Sequence, residues 1–137
     1  MHLKFSIVHI SELKGHEMPK RSRVEELKND MKKRGVLIKP IVVDKDTRVI
    51  LDGHCRCGAL MSLGRSKVAV RFVDYNSENI EVERWGGGEM TKEEVREAGL
   101  SGRLMMPKSS KHMIKKGMRR VHISEICEDA LVPLEKL

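Results

Sequence analysis

The sequence is poor in aromatic residues and has no long apolar stretch. Aromatic side chains make up 3% of the 137 residues, too few for the stacking platforms on which single-stranded nucleic acid binds. A helix that crosses a membrane needs about 20 apolar residues in a row, and the apolar runs here are far shorter. No stretch has the pattern of a signal peptide. We therefore expect a soluble, cytoplasmic protein that does not associate with membranes.

Cysteine is also scarce. The chain contains Cys55, Cys57 and Cys127, and an odd number in a chain of cytoplasmic composition argues against a disulfide framework. The pair Cys55 and Cys57 lacks the second pair of ligands that a structural zinc site needs. We expect neither disulfides nor a structural metal.

Positive charge is in excess. Charged residues make up 34% of the chain, the formal net charge is +7, and the pI is about 9.5. Such a balance suits an anionic partner, either a nucleotide or a nucleic acid bound weakly and without sequence selectivity. The basic residues are spread along the chain, with a denser run over residues 108–120. That run, by itself, is typical of a solvated face.

The most informative stretch is Val-Ile-Leu-Asp-Gly-His-Cys-Arg, residues 49–56. A short apolar strand passes through Asp52 and Gly53 into a helical pattern, so unpaired backbone N–H groups gather at the positive end of a helix dipole. Arg56 offers a planar fork for phosphate oxygens, and Asp52 can hold Mg²⁺. With His54 between them, these residues predict a phosphate-binding turn. The alternative is that Asp52 only caps the helix.

Apolar periodicity and capping signals predict an α+β fold, a small mixed sheet flanked by helices. The first predicted helix covers residues 22–34; it starts with a Ser22–Glu25 capping box and ends at Gly35. The second covers residues 53–63. The third runs from a Thr91–Glu94 capping box to Gly99. The predicted strands are 5–10, a hairpin of 40–43 with 48–51, a pair of 67–73 with 80–85, and a last strand or edge within 121–126, with a loop at 107–112.

This order of elements, together with Asp-Gly-His-x-Arg, resembles the ParB/sulfiredoxin superfamily. Within it the chain is most similar to the archaeal free-serine kinases, which carry Asp-Gly-His-His-Arg; Cys55 stands at the second histidine. The resemblance covers residues 5–85 well and extends to Pro-Lys-Ser-Ser-Lys-His at 107–112 and His-Ile-Ser-Glu-Ile-Cys at 122–127. It implies one ParB/sulfiredoxin-like nucleotide-binding domain over residues 1–137, with a core at 5–85 and a tail at 86–137 that completes the site.

The resemblance also implies an activity and its residues. The activity is nucleotide-dependent phosphorylation of free L-serine to O-phosphoserine, with ATP or ADP and Mg²⁺. Catalysis would fall to Glu17, which activates the serine hydroxyl, and to Asp52, which holds Mg²⁺. The remaining site residues are Gly53, His54 and Arg56 for the nucleotide phosphates, and Trp85, Ser110 and His112 for the amino acid.

Each of these residues has a simpler interpretation. Glu17 can be a surface acid of its loop, with Glu12 as the fallback candidate for the base, and the neighbouring His16 can either orient a phosphate or face solvent. Trp85 can be core packing at a strand end. Ser110 and His112 can belong to a basic loop.

Two other functions compete with the kinase. The first is a ParB-like regulator that binds a nucleotide or DNA, although no helix-turn-helix follows the nucleotide region. The second is a sulfiredoxin-type reductase, whose thiol precedes His-Arg, whereas Cys55 follows His54. One residue on a helix rotates a side chain by about 100°, so we rank the reductase third.

Overall fold

The computed structural model describes residues 5–137, which form three α-helices, nine β-strands and three short 3-10 helices. The helices are α1 (Arg21–Arg34), α2 (His54–Ser62) and α3 (Lys92–Ser101). The strands are β1 (Ser6–His9), β2 (Val36–Leu37), β3 (Ile41–Asp44), β4 (Ile50–Asp52), β5 (Lys67–Val73), β6 (Ile80–Arg84), β7 (Ser110–Lys116), β8 (Arg119–His122) and β9 (Val132–Pro133). None of the helices of residues 5–137 is long and apolar enough to cross a membrane.

The central sheet has four strands in the order β1-β5-β3-β4. β3 runs parallel to β5, and the other two pairs are antiparallel. The predicted α+β class and the mixed sheet are therefore confirmed. The predicted hairpin is also present as β3 and β4, and its turn is held by Asp44, whose carboxylate accepts hydrogen bonds from the Asp46 N–H and the Thr47 hydroxyl. Such local bonds are the reason that Asp favours turns.

Both faces of this sheet are covered. Ile41 and Val43 of β3 point into a core that is shared with α1 and α2, while Val42 points into a second core that contains Val95 of α3. This alternation follows from the two-residue period of a strand. Burial on both faces explains why β3 reads as an unbroken apolar run.

The second sheet, in the order β6-β7-β8, corrects three predictions. β6 pairs with β7 and not with the strand at 67–73, which pairs with β1 and β3. The segment 107–112, predicted as a loop, contributes its last three residues to β7, where Ser110 lies opposite Arg84. These three residues, Ser-Lys-His, include no β-branched side chain, so their place in the strand depends on ladder hydrogen bonds with β6 and not on local propensity. The predicted strand at 121–126 ends at His122 and continues as a 3-10 helix.

The sequence predicted some helix ends correctly and others incorrectly. Gly35 ends α1 in the left-handed conformation, as predicted, but Ser22 lies inside the helix, whose N-cap is Lys20 without a side-chain cap. The Thr91–Glu94 capping box is present.

The end of α3 is displaced from its predicted position. The helix passes through Gly99 and ends at Gly102, which has φ 77°. A Cβ on Gly99 would lie 2.6 Å from Cγ2 of Val49, so this glycine allows the helix to approach β4 closely.

Candidate active site

All eight residues that the sequence predicted for the site line one cavity of about 570 Å³. They come from the loop before α1, the β4–α2 turn with the start of α2, the residue after β6, and β7. Further lining residues that the sequence reasoning missed include Arg23, Lys39, Lys108, His122 and Ser124. The His-Ile-Ser sequence at 122–124 was noticed only as part of the resemblance, and the three cations carried no separate signal because basic residues are frequent throughout the chain.

The β4–α2 turn depends on Gly53. This residue is the N-cap of α2 and has φ 113°, a conformation that side chains rarely adopt. A Cβ here would lie 2.6 Å from Cβ of Ile41 and closer still to its Cγ2. Gly53 therefore allows the turn to lie directly on β3, with the first N–H groups of α2 beside the cavity.

Asp52 and Arg56 form an ion pair one helical turn apart. The Nη2 of Arg56 donates to Oδ2 of Asp52 at 2.8 Å, and Nη1 donates to the carbonyls of Pro40 at 3.0 Å and Lys39 at 3.3 Å. The two side chains are 21% and 16% exposed. Asp52 ends β4 and does not cap α2, whose N-cap is Gly53 without a side-chain hydrogen bond. The carboxylate of Asp52 is held by Arg56 on the wall of the cavity.

His54 is the first residue of α2, and its half-buried side chain on the cavity wall is a neutral imidazole. Its Nε2 accepts a hydrogen bond from the backbone N–H of His16 at 3.1 Å, which assigns the ring proton to Nδ1. Burial, with smaller contributions from His16 and His112, lowers the pKa of His54 well below its ordinary value. His54 can thus donate from Nδ1 without carrying charge at neutral pH.

The loop that carries His16 and Glu17 is fixed by backbone hydrogen bonds on both sides. The N–H of Ile50 donates to the carbonyl of Lys14 at 2.8 Å, and the N–H of Met18 donates to the carbonyl of Met105 at 2.8 Å. The segment is a loop by sequence, as predicted, but it is held between β4 and residue 105 like an added strand.

Glu17 lies inside the site and not on the open surface, with its side chain 14% exposed. Its Oε1 accepts a hydrogen bond from the N–H of Ser110, and its Oε2 accepts one from the N–H of Lys108, both at 3.2 Å. The Ser110 hydroxyl is 2.9 Å from Oε1. The fallback acid, Glu12, instead accepts a bond from the backbone N–H of His9 outside the cavity.

His16 is completely buried behind Glu17. Its Nδ1 donates to the carbonyl of Ile50 at 2.7 Å, and its Nε2 lies 2.6 Å from the hydroxyl of Ser110. Burial lowers the pKa of His16, against weaker raising effects of the Ile50 carbonyl and Glu17. His16 therefore does not face solvent, and it is not among the residues that line the cavity.

His112 is buried on β7, with its Nε2 2.7 Å from the hydroxyl of Tyr75. Burial lowers its pKa to about 3, with smaller contributions from His16 and His122, although the Leu51 carbonyl opposes part of this effect. Within residues 5–137, its Nδ1 has no partner of hydrogen-bond geometry. A buried polar atom left unpaired costs about 1–3 kcal/mol, which a ligand group in the cavity can recover.

Trp85 lies just beyond β6 and is 43% exposed, so it is not core packing. The ammonium groups of Lys111 and Lys108 lie 5.0 and 5.3 Å from its ring centroid. Such cation–π contacts gather two positive charges around the indole.

No group of three or more His, Cys, Asp or Glu side chains suited to a metal ion occurs in the described part of the chain. Mg²⁺ does not require such a group, because it is commonly held by one or two carboxylates together with substrate phosphates. Asp52 fits this pattern, since Oδ2 is oriented by Arg56 and no described residue bonds to Oδ1.

The comparisons with known proteins confirm the resemblance to ParB-like proteins and serine kinases that the sequence suggested. The chain is similar to a protein named ParB-like protein from Sulfolobus acidocaldarius, with 54% identity over 46 residues, 34% of this chain and 23% of that one. It is also similar to a protein named ATP-dependent L-serine kinase from Staphylothermus marinus, with 28% identity over 108 residues, 72% of this chain and 43% of that one. It therefore spans less than half the length of these relatives.

Among solved structures, a free serine kinase in complex with AMP superposes with a TM-score of 0.81 at 15% identity, covering 100% of this chain and 95% of that one. At this identity the similarity shows the fold. No family model matches the chain.

Proposed function

We propose that the chain is a nucleotide-dependent phosphotransferase that converts free L-serine to O-phosphoserine. The observation that carries the proposal is the position of Glu17, a fixed carboxylate on the wall of the cavity that also contains the β4–α2 turn. Phosphoryl transfer needs a held phosphate and a positioned nucleophile more than covalent catalysis. The names of the serine kinases to which the chain is similar support the choice of reaction.

In this proposal the nucleotide phosphates lie at the N-terminus of α2. The free N–H groups after Gly53 and Nδ1 of His54 donate to phosphate oxygens. Arg56 is already bound to Asp52 and to two carbonyls, so it acts mainly by orienting Asp52, which holds Mg²⁺. Bound Mg²⁺ would neutralise charge on the transferring phosphoryl group. Arg23, Lys39 and Lys108 supply the positive field.

The amino acid is bound on the opposite wall. A free amino acid carries a carboxylate, and the lysines around Trp85 supply positive charge for it. Glu17 accepts the proton of the acceptor hydroxyl as that oxygen attacks phosphorus. Ser110 and His112 complete the wall, and Nδ1 of His112 is the buried atom that lacks a partner among the described residues. We propose in the same way that the chain is a single domain over residues 1–137, that it uses Mg²⁺, and that it is cytoplasmic.

The decisive experiment incubates the chain with ATP or ADP, Mg²⁺ and a panel of free amino acids, with mass spectrometry as the readout. We expect phosphate on serine and on no other amino acid of the panel. Phosphorylation of a different acceptor would replace the substrate but keep the reaction. Nucleotide hydrolysis or binding without transfer to any amino acid would refute the proposal.

Glu17→Gln separates binding from catalysis. The amide has nearly the same size but cannot take a proton, so turnover should fall by roughly a hundredfold or more. Nucleotide affinity, measured by calorimetry, should stay within about twofold of the wild-type value. Glu12→Gln is the matched control, since it removes an equal charge outside the cavity. Normal turnover of Glu17→Gln would show that the base is another residue.

A ParB-like nucleic-acid regulator is the second candidate, favoured by the basic end of the β7–β8 hairpin, where Lys115, Lys116, Arg119 and Arg120 are all exposed. In the described chain only α3 follows β6 as an α-helix, so the two helices of a helix-turn-helix are not formed there. We expect DNA binding to be weak and steeply salt-dependent. A sequence-selective footprint that survives moderate salt would favour the regulator.

A further inference from the structure

His122, the last residue of β8, lines the cavity beside Trp85, and the centroids of the two rings are 6.5 Å apart. Its Nδ1 accepts a hydrogen bond from the backbone N–H of Ser124 at 3.2 Å, and the hydroxyl of Ser124 lies 2.8 Å from the same nitrogen. A backbone N–H can only donate, so Nδ1 presents a lone pair and the hydrogen of the neutral ring is on Nε2. The imidazolium form also has a hydrogen on Nε2, so this nitrogen is a donor in either charge state.

The Nε2 donor of His122 is available to a ligand. Within residues 5–137 both hydrogen bonds of the ring are made by Nδ1. Among the same residues, the buried side-chain atom that lacks a partner is Nδ1 of His112 and not Nε2 of His122. The Nε2 of His122 is therefore unpaired without being enclosed by protein, on a ring that lines the cavity.

Lys108 supplies a second free donor on the same wall. Its backbone N–H donates to Oε2 of Glu17 at 3.2 Å, and its ammonium group lies 5.3 Å from the ring centroid of Trp85. The ammonium group of Lys111, on the same indole, lies 3.7 Å from a carboxylate oxygen of Glu83. No carboxylate of residues 5–137 lies at ion-pair distance from the ammonium of Lys108. Lys108 therefore connects the predicted base with an uncompensated positive charge beside the indole.

We propose that Nε2 of His122 and the ammonium group of Lys108 form the receptor for the carboxylate of the acceptor amino acid. Two donors match the two oxygens of a carboxylate, and hydrogen bonds to an ionised group are the strong ones. The hydroxyl and the carboxylate of serine are attached to neighbouring carbon atoms. A serine whose hydroxyl reaches Glu17 therefore presents its carboxylate close by, as Lys108 also contacts both places.

This inference rests on the proposed function and adds His122 as a residue that determines specificity for a free carboxylate. Serinamide has the hydroxyl and the amine of serine but no carboxylate, so it should be a poor ligand. The other anion of the proposed complex is the nucleotide phosphate. We place it at the N-terminus of α2, away from the pair that His122 and Lys108 form around Trp85.

Binding can be measured without turnover, because Trp85 is the single tryptophan of the chain. In a fluorescence titration with L-serine, His122→Phe keeps an aromatic ring but loses the donor, so affinity should fall roughly tenfold or more. His122→Gln places an amide N–H near the position of Nε2 and should recover part of the loss. His9→Gln, an exposed histidine outside the cavity, is the control. Unchanged serine affinity in His122→Phe, or an equal loss for serinamide, would overturn the inference.

Kinetics separate the carboxylate from the nucleotide. A contact made equally in the ground state and the transition state raises KM and leaves kcat unchanged. In His122→Phe the KM for serine should rise roughly tenfold or more, with kcat and the nucleotide KM within about twofold of wild type. Lys108→Gln should raise the same KM, and Lys115→Gln, an exposed lysine outside the cavity, should not. A raised nucleotide KM with an unchanged serine KM would assign His122 to a phosphate and overturn the inference.

His122 is also the N-cap of the 3-10 helix at Ile123–Ile126, so one test uses the unaltered ring. In ¹⁵N spectra of histidine-labelled wild-type chain, the neutral ring of His122 should have its hydrogen on Nε2. That N–H resonance should move on addition of L-serine and not of serinamide. A hydrogen on Nδ1, or no response to serine, would overturn the inference. If these responses appear but no phosphate is transferred, the proposed function fails and the receptor stands; normal transfer with an unchanged serine KM in His122→Phe means the reverse.

Discussion

Two regions meet at the cavity: the β4–α2 turn, and a buried cluster of His16, Glu17, Ser110 and His112. The turn is held by contacts between residues close in the sequence, and the cluster by contacts between residues far apart in it. In the turn, Asp52 and Arg56 are four residues apart and partly exposed. In the cluster, Glu17 and His16 bond to Ser110 across 93 and 94 residues, and both histidines are buried. The turn contains an ion pair between residues close in the sequence, beside the neutral imidazole of His54. The cluster instead contains two imidazoles, His16 and His112, that are both buried. A change in the turn should therefore act on shape and binding, and a change in the cluster on protonation.

Gly53→Ala should break the turn and give the largest effect. Left-handed strain and overlap with Ile41 each cost about 1–3 kcal/mol, so we expect the free energy of unfolding to fall by about 2–6 kcal/mol. Gly64→Ala is the matched control, because Gly64 has φ 77° but open space within 4 Å of the position that a Cβ would take. Urea unfolding of both variants separates strain from overlap. Equal losses of unfolding free energy in the two variants would mean that Ile41 of β3 moves aside, and that its close packing does not fix the turn.

Arg56→Ala tests whether the charge of the turn is used for binding. Losing charge-assisted bonds of this kind costs about 1.5–3 kcal/mol, roughly tenfold to more than a hundredfold in nucleotide affinity measured by calorimetry. Arg56→Lys keeps the charge but loses the fork that holds Asp52 and the Pro40 carbonyl, so we expect only partial recovery. Full recovery would show that Arg56 acts as a point charge on phosphate. Arg65→Ala, an exposed site outside the cavity, controls for net charge.

Acid should destabilise the fold through the histidines whose pKa burial lowers. An unfolded histidine titrates near 6.5, whereas burial lowers the pKa of His112 to about 3. The unfolded chain therefore binds more protons between these values, and stability falls as pH drops below about 6.5. From pH 7.5 to 5.5, His112 alone should account for about 1.3 kcal/mol of the free energy of unfolding. His112→Gln should reduce the pH dependence by that amount and His9→Gln should not; an unchanged dependence in His112→Gln would contradict the assignment.

Cys55→Ser should have the smallest effect, although Cys55 lies in the turn. Its Sγ makes one long contact, 3.9 Å from the carbonyl of Lys20, and its position does not match the sulfiredoxin thiol. We expect stability within about 0.5 kcal/mol of wild type and phosphoryl transfer largely retained. Complete loss of activity in a folded variant would revive the reductase. Cys57 offers no substitute thiol, because burial raises its pKa to about 12.

Sequence alone determined the parts of the molecule whose causes are local. The helix stop at Gly35, the Thr91–Glu94 cap, the β3–β4 hairpin and the strand–glycine–helix turn all follow from neighbouring residues and were predicted from them. The motif at 52–56 and its resemblance to a known superfamily also gave the fold class and the eight candidate residues. Their roles stay predictions, since position on a cavity wall does not by itself prove binding or catalysis.

Only the tertiary structure decided the rest. β7 was missed because the Ser-Lys-His segment at 110–112 has no strand propensity and is ordered by pairing with β6. Gly99 lies inside α3 because it makes room for Val49, 50 residues earlier in the chain, and so it is not the helix stop that it resembles in the sequence. His16 looked like a loop histidine, and its neutral state follows from burial against Ile50, His54 and Ser110. Burial and long-range hydrogen bonds leave no periodic trace in a sequence, because the partners are adjacent only after the chain has folded.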